Sequence, residues 1–280
     1  MLVVYHADCL DGFGAAYAAW TLYGDRARYV AARYGDPVPE MSPGEMVLLV
    51  DFSWPRDVIE RVRGDGHLVT VIDHHQTAAT ALEGLEDCVF DQEYSGCVLT
   101  WRHLHHQEPV PQLLQHVEDR DLWRWALEGT REICLGLGIV PTEFAAWNAL
   151  VQGGPLALLY LYEEGSAILV YQQKHELPVL ISRSRVCVFE GFQCREVNSP
   201  LLTSEVGHEL AEMSQREGGA PMSVVWSMTA DGNVRVSLRS VGDFDVSGIA
   251  RAHGGGGHRN AAGFSASERL SCTSIDKAVQ

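Results

Sequence analysis

The sequence predicts an α/β protein. Its N-terminal domain is built on a parallel, doubly wound sheet over 1–130, a helical connector follows over 131–183, and a smaller α/β domain occupies 184–280. Three observations carry this organisation. Short apolar, β-branched runs alternate with helical segments through the first domain, the rhythm of βαβ units around a buried parallel sheet. From 131 to 183 the pattern is helical, with no clear strand run. After Val186 strands resume, now with a hairpin signal. The length is enough for two domains with separate cores, and 46% hydrophobic residues mark a globular rather than a disordered chain.

The elements follow in chain order. Leu2-Val-Val-Tyr5 is an apolar strand, and Gly12 to Trp20 is a Gly/Ala-rich helix suited to close packing on a sheet. Further strands are expected at 28–33, 46–51, 68–72 and 88–91, and helices at 95–104 and 111–118. Leu156–Tyr162 and Ile168–Tyr171 continue the connector's helical pattern. In the second domain, strands at 186–190 and 193–197 precede a helix over 204–212 capped by Ser204. Strands at 222–229 and 234–240 flank the hairpin turn Ala230-Asp-Gly-Asn233. A short helix over 245–252 leads into the glycine run 254–257. The polar tail after Glu268 is expected to fray.

Composition narrows the function. The net charge of −16 argues against a protein that tracks long nucleic acid, because such proteins carry basic stripes. A short or mononucleotide-sized phosphorylated ligand fits better. Seven cysteines without CxxC spacing read as reduced thiols. No apolar run looks long enough to span a membrane, and the N-terminus enters a strand without an export signal. The expected location is cytoplasmic, with no membrane partner. The sequence leaves the oligomeric state open and admits a homodimer.

The chemistry gathers at strand ends. The run Leu68–Ile72 empties into Asp73-His74-His75. Leu2–Tyr5 ends in His6, followed by Asp8 and Asp11, and Met46–Val50 ends in Asp51. A fourth cluster, Glu118-Asp119-Arg120-Asp121, closes a helical segment. A polar turn with a capping Asp would explain one such cluster. Repetition at three strand ends points instead to a two-metal site, because those ends face the ligand crevice of an open α/β sheet. Carboxylates with imidazoles suit Mn²⁺ or Mg²⁺, two per site, and Asp51, ending the central strand, is the natural bridge. Gly254–Gly257 exposes backbone N–H groups suited to phosphate, beside His258 and Arg259. His103, His105 and His106 read as a solvated face, and Trp123 and Trp125 as core.

Together, His6-Ala-Asp-Cys-Leu-Asp11-Gly12, Val50-Asp51, Asp73-His74-His75, Glu118-Asp119-Arg120-Asp121 and Gly254-Gly-Gly-Gly-His-Arg-Asn-Ala-Ala-Gly263 resemble the DHH phosphoesterase superfamily with a C-terminal DHHA1 domain. The resemblance covers almost the whole chain. It implies two lobes with the active site between them, and hydrolysis of phosphoanhydride or phosphodiester bonds. By that pattern His6 and Asp51 hold one metal, and Asp11, Asp51, His74 and Asp119 the other. His75 touches the scissile phosphate or protonates the leaving group, and Asp73 orients the histidines. Gly256, Gly257, His258 and Arg259 form a phosphate loop in the second lobe, and Arg239 reaches a distal phosphate or base. Asn198 and Ser199 begin a turn that faces the cleft.

One departure stands out. Many members of the superfamily carry Asp-x-Asp in the first loop. Here Asp11 fits the second position, Cys9 occupies the first, and Asp8 is one residue off. The loop bulges to use Asp8, or Cys9 takes a ligand position, or one metal has a ligand fewer. The expected activity is a divalent-metal-dependent phosphodiesterase or exonuclease acting on short oligonucleotides, dinucleotides or cyclic nucleotides. Polyphosphate and 3′-phosphoadenosine phosphate are the competing substrates. A nucleotide-binding protein with weakened catalysis is the competing class.

Overall fold

The computed structural model describes residues 1–230 and 232–267, together with the backbone of 273–274. It divides into two compact units, Met1–Val170 and Tyr171–Gln280.

The first unit opens with β1 (Leu2–His6), α1 (Leu10–Tyr23), β2 (Arg28–Ala32) and β3 (Met46–Val50), followed by α2 (Arg56–Gly64), β4 (Leu68–Asp73), α3 (Gln76–Ala81) and β5 (Cys88–Phe90). Four helices complete it: α4 (Gly96–His105), α5 (Gln112–Asp121), α6 (Thr130–Leu137) and α7 (Phe144–Tyr171). The strands form a parallel sheet in the order β2-β1-β3-β4-β5. Alternate side chains leave opposite faces of each strand. Val3, Leu48, Val50 and Ile72 therefore enter one core with α1, α4 and α5, while Leu2, Val4, Val47, Leu49, Val69 and Val71 enter another with α2. Burial of both faces is why these strands read as unbroken apolar runs. The chain lays β2 on one side of β1 and β3 on the other. This places a topological switch at the carboxyl ends of β1 and β3, where ligands bind in such sheets.

The second unit contains α8 (Leu177–Ser182), β6 (Arg185–Phe189), β7 (Phe192–Asn198), α9 (Thr203–Arg216), β8 (Met222–Met228) and β9 (Val234–Ser240), then α10 (Ser247–Ala252), β10 (Gly256–His258), β11 (Ala261–Ala266) and β12 (Thr273–Ser274). Its mixed sheet runs β10-β11-β9-β8-β7-β6-β12. β7 and β8 are parallel because α9 provides the crossover between them. The expected hairpin joins β8 to β9. One face packs Val197 and Val225 against Val206 and Leu210 of α9, and the other packs Val224 and Leu238 against Val246 and Ala250. The expected fraying after Glu268 concerns residues outside those described.

The fold class is as the sequence predicts, but two expectations change. The connector over 131–183 is divided between the units. Ile133, Leu137, Trp147 and Leu161 lie in the same core as Val3 and Phe13, so α6 and most of α7 belong to the first unit. An amphipathic helix buries its stripe on the nearest apolar surface, here α1, and the sequence does not show where that surface lies. The expectation that no segment is apolar enough to cross a membrane is also corrected. The helical run Phe144–Ser182 meets that standard by length and composition only, through an 18-residue window with a mean hydropathy of 1.2. Its apolar residues are dispersed, so no unbroken run is visible. Gly154, at φ +55°, and Pro155 kink it.

The division of the connector is testable at Trp147, which is fully buried against Phe13, with ring centroids 5.0 Å apart. Trp147→Ala should destabilise the first unit by about 3–5 kcal/mol, measured by urea unfolding. A loss under about 1 kcal/mol would return α7 to the role of a connector.

Candidate active site

The strand ends of the first unit converge. β1 delivers His6, the first turn of α1 delivers Asp11, β3 runs into Asp51, and β4 ends in Asp73 and continues to His74 and His75. His74 Nε2 lies 3.2 Å from Asp51 Oδ1, 3.6 Å from Asp11 Oδ2 and 3.6 Å from Asp121 Oδ2. His6 Nδ1 lies 3.8 Å from Asp51 Oδ2. Asp11, Asp51 and His74 each place a ligand atom within 4.8 Å of the others, and so do His6, Cys9 and Asp51. Asp51 is common to both groups.

The backbone is arranged to hold Asp51 there. Its N–H is fixed to Ile72 O at 2.9 Å, and its φ is +51°. That left-handed conformation costs a non-glycine residue of order 1–2 kcal/mol. Both carboxylate oxygens are buried, and neither accepts a hydrogen bond among the described residues. A Cβ on Gly96 would overlap Asp51 Cβ and Oδ1, so the start of α4 can approach only as glycine. Asp11 is better satisfied. It accepts hydrogen bonds from Gly96 N at 2.6 Å and Cys97 N at 3.0 Å, the exposed donors of the α4 N-terminus.

The charges are in tension. Burial, and then the neighbouring Asp11 charge, push the Asp51 carboxyl well above the ordinary range. Burial and Asp11 also raise Asp121, to about 6. Burial pulls His6 down to about 4, helped by His75, so its imidazole is neutral at pH 7 and able to ligate. For His74, burial is outweighed by Asp51, Asp121 and Asp11, which raise it to about 10. The three carboxylates thus favour the imidazolium form of His74. A buried carboxylate without a well-aligned hydrogen-bond donor, flanked by two more carboxylates and two imidazoles, fits a divalent-cation site.

Asp73 serves a different purpose. It is fully buried and accepts hydrogen bonds from His74 N at 2.8 Å, His75 N at 3.2 Å and His75 Nδ1 at 2.6 Å. Burial would raise its pKa, but the charge and hydrogen bonds of His75 outweigh that and lower it to about 2. Asp73 in turn raises His75 against the effect of burial.

Asp119 is not brought to this cluster. Its buried carboxylate accepts hydrogen bonds from Ala126 N at 2.8 Å, Leu127 N at 3.1 Å and Thr130 Oγ1 at 2.6 Å, fastening the loop before α6. Residues two apart on a helix leave it in different directions, and Asp121 is the one that meets His74. Sequence reading also missed Tyr34, whose ring centroid lies 5.7 Å from His6 and 6.2 Å from His75. The first loop separates its two candidates: Asp8 is held outward by Arg33, and Cys9 lies beside His6 and Asp51. His105 packs on Trp101 and reaches Ala18 O at 2.9 Å, so it is not solvated, whereas His103 and His106 are exposed. Trp123 and Trp125 are half-buried rather than core.

In the second unit the glycine run is less open than expected. Gly256, Gly257 and His258 form β10, paired with Ala261–Gly263. A Cβ on Gly257 would press on the β11 backbone, and its φ of +135° also demands glycine. Arg259 Nη1 donates to Asp243 Oδ1 at 3.1 Å. Arg239 lies on an interior strand, half-buried under α9, and donates to Ser204 Oγ at 2.9 Å. Asn198 Nδ2 and Ser199 N both donate to Trp226 O.

Residues 200–280 match the DHHA1 domain. An uncharacterised protein of Acanthamoeba polyphaga mimivirus is 29% identical over 99% of this chain and 70% of its own length. The cyclic-di-AMP phosphodiesterase GdpP of Geobacillus thermodenitrificans is 28% identical over 84% of this chain, which spans only 34% of that relative. Among solved structures, a pGpG-specific phosphodiesterase from Vibrio cholerae, PggH, aligns over 95% of this chain and 92% of its own, with 12% identity and a TM-score of 0.47.

The two acidic positions on α5 should separate cleanly. Asp119→Ala strands the buried Thr130 hydroxyl and two part-buried N–H donors and should cost about 1–3 kcal/mol of stability with little effect on metal binding. Asp121→Ala should do the reverse. Calorimetric metal titration with thermal unfolding checks both, and loss of metal by a folded Asp119 variant would restore it to the site.

Asp73 supplies a pH test. Its pKa is depressed in the folded state, so its contribution is complete above the unfolded value near 4 and fades as pH falls toward 2. Asp73→Asn should therefore cost about 2 kcal/mol at pH 6, with the gap to wild type narrowing below pH 4. Urea unfolding across that range measures it, and a gap independent of pH would contradict the ionised pair.

Proposed function

We propose that this chain, a DHH-superfamily phosphoesterase with a C-terminal DHHA1 domain, is a metal-dependent phosphodiesterase that hydrolyses short nucleotides. The observation that carries the reading is Asp51, a buried carboxylate without a hydrogen-bond partner, shared by two groups of ligand atoms. The resemblance to a cyclic-dinucleotide phosphodiesterase and the strongly acidic composition support a short nucleotide ligand rather than a long polyanion.

His6 and Asp51 would hold one divalent ion, and Asp11, Asp51, His74 and Asp121 the other. The imidazoles favour Mn²⁺ over Mg²⁺. When bound, the ions supply Lewis acidity toward a phosphoryl group and the water that attacks it. The chain does the rest. To ligate, His74 would have to give up the proton its acidic neighbours favour, leaving an Nε2 lone pair toward the ion. Asp73 fixes His75 through Nδ1 and raises its pKa against the effect of burial, so Nε2 is the atom assigned to give a proton to the leaving oxygen. Asp11 is held rigid by α4 and cannot turn away from the site. In the second unit Gly256, Gly257, His258, Arg259 and Arg239 are assigned to substrate phosphate. Cytoplasmic residence is part of the same reading, supported by the free thiols among the described residues.

The full chain, stripped with chelator and reloaded with Mn²⁺, should cleave dinucleotides and release no phosphate from inorganic polyphosphate. Full activity in excess chelator, or a preference for polyphosphate, would overturn the reading. His75 is tested by the leaving group. His75→Ala should slow a dinucleotide by about 10²–10⁴-fold, and a nitrophenyl phosphodiester far less, because nitrophenolate leaves without a proton. Equal losses on both substrates would remove the acid role.

A further inference from the structure

Asp8 and Cys9 are neighbours in the turn after β1, and the fold sends them in opposite directions. Asp8 has φ +56°, its carboxylate is 66% exposed, and Arg33 holds it through Nε at 2.9 Å and through Nη2. It is neutralised away from the site. The sulfur of Cys9 lies inward, where Cys9, His6 and Asp51 bring one ligand atom each within 4.8 Å of one another. A tetrahedral ion with bonds of about 2.0–2.3 Å sets its ligand atoms about 3.3–3.8 Å apart, and His6 Nδ1 and Asp51 Oδ2, 3.8 Å apart, already stand at that spacing.

Cys9 is the N-cap residue of α1, and its sulfur makes no capping hydrogen bond of good geometry. It is a free, half-buried thiol, and it belongs to neither apolar core of the first unit. An independent feature points to a cation at the same spot: Asp51, 1% exposed, has both oxygens without a hydrogen-bond partner. A sulfur, an imidazole nitrogen and a carboxylate oxygen form a softer set than the Asp11–Asp51–His74–Asp121 group beside it, which is dominated by oxygen.

We propose, on the premise of the two-metal site above, that Cys9 is a metal ligand, binding as thiolate with its proton released to solvent. The two positions are then chemically unequal. The His6–Cys9–Asp51 position selects a borderline divalent ion of the Zn²⁺ or Co²⁺ class, while the other retains a preference for Mn²⁺ or Mg²⁺. Most nitrogen and oxygen sites also bind Zn²⁺ more tightly than Mn²⁺, so the informative comparison is between side chains at position 9.

Co²⁺ titration of the full metal-stripped chain provides the test. Thiolate-to-cobalt charge-transfer absorption in the near ultraviolet is the readout, with elemental analysis of bound metal alongside. Wild type should develop the band and bind two ions. Cys9→Ser should lose the band and weaken one Co²⁺ by more than about tenfold, at least the cost of losing a supporting partner, while the second ion binds unchanged. Cys9→Asp should bind two Mn²⁺ ions without the band, which shows that the loop still folds. Two bound Co²⁺ ions with no band in wild type, or a band that survives in Cys9→Ser, would overturn the thiolate assignment alone. Two ions retained by Asp51→Asn would overturn the shared site and the Cys9 assignment with it.

Discussion

Repulsion among buried carboxylates is the constraint around which the first unit is built. Asp51 and Asp11 are each 1% exposed, and both lie within reach of His74 Nε2, as does Asp121. Water screens Asp51 and Asp11 poorly, whereas Asp121 is partly exposed, and a buried charge without compensation is among the costliest arrangements in a protein. Two answers are visible. The N-terminus of α4 gives Asp11 two N–H groups, and the His74 ring, whose charged form the acids favour, stands among the three. Asp51 has only the His74 ring, 3.2 Å away, and neither of its oxygens accepts a well-aligned hydrogen bond among the described residues, even though its backbone is held in an unfavourable conformation to place it there. Strain and desolvation concentrated on one side chain are the marks of a site that is completed by a ligand.

The sheet topology makes this convergence possible. Because β2 and β3 lie on opposite sides of β1, the carboxyl ends of β1 and β3 stand at the switch point of the sheet, where such folds bind ligands. β4 lies next to β3 and adds Asp73, His74 and His75 to the same end. Residues far apart in sequence reach one point through parallel strands in register, without relying on a flexible loop. The supporting contacts come from helices whose glycine or small residues allow close approach, and Gly96 against Asp51 is the sharpest case.

Much of this is legible in the sequence, and what is not has physical causes. The strands of the first unit can be read to within a residue or so, because burial on both faces leaves long β-branched runs. Their polar endings disclose His6, Asp11, Asp51 and His74 as a group. The choice between Asp119 and Asp121 cannot be read, because it depends on the rotation of α5 about its own axis. The sequence pattern there is equally acidic at both positions. The glycine run at 254–257 looks like an open cradle, yet part of it is glycine because β11 runs alongside. Helix α7 reads as a connector because its stripe faces α1, a partner more than a hundred residues earlier. Asp8 and Cys9 cannot be ranked without the guanidinium of Arg33, which takes Asp8 out of contention.

The claim that Asp51 joins two cations is open to a direct measurement. Crystals of the full chain grown with Mn²⁺ should show two anomalous peaks about 3.5–4 Å apart, both within bonding distance of Asp51 and flanked by His6 on one side and by Asp11, His74 and Asp121 on the other. A single peak, or two peaks of which only one touches Asp51, would contradict the shared carboxylate.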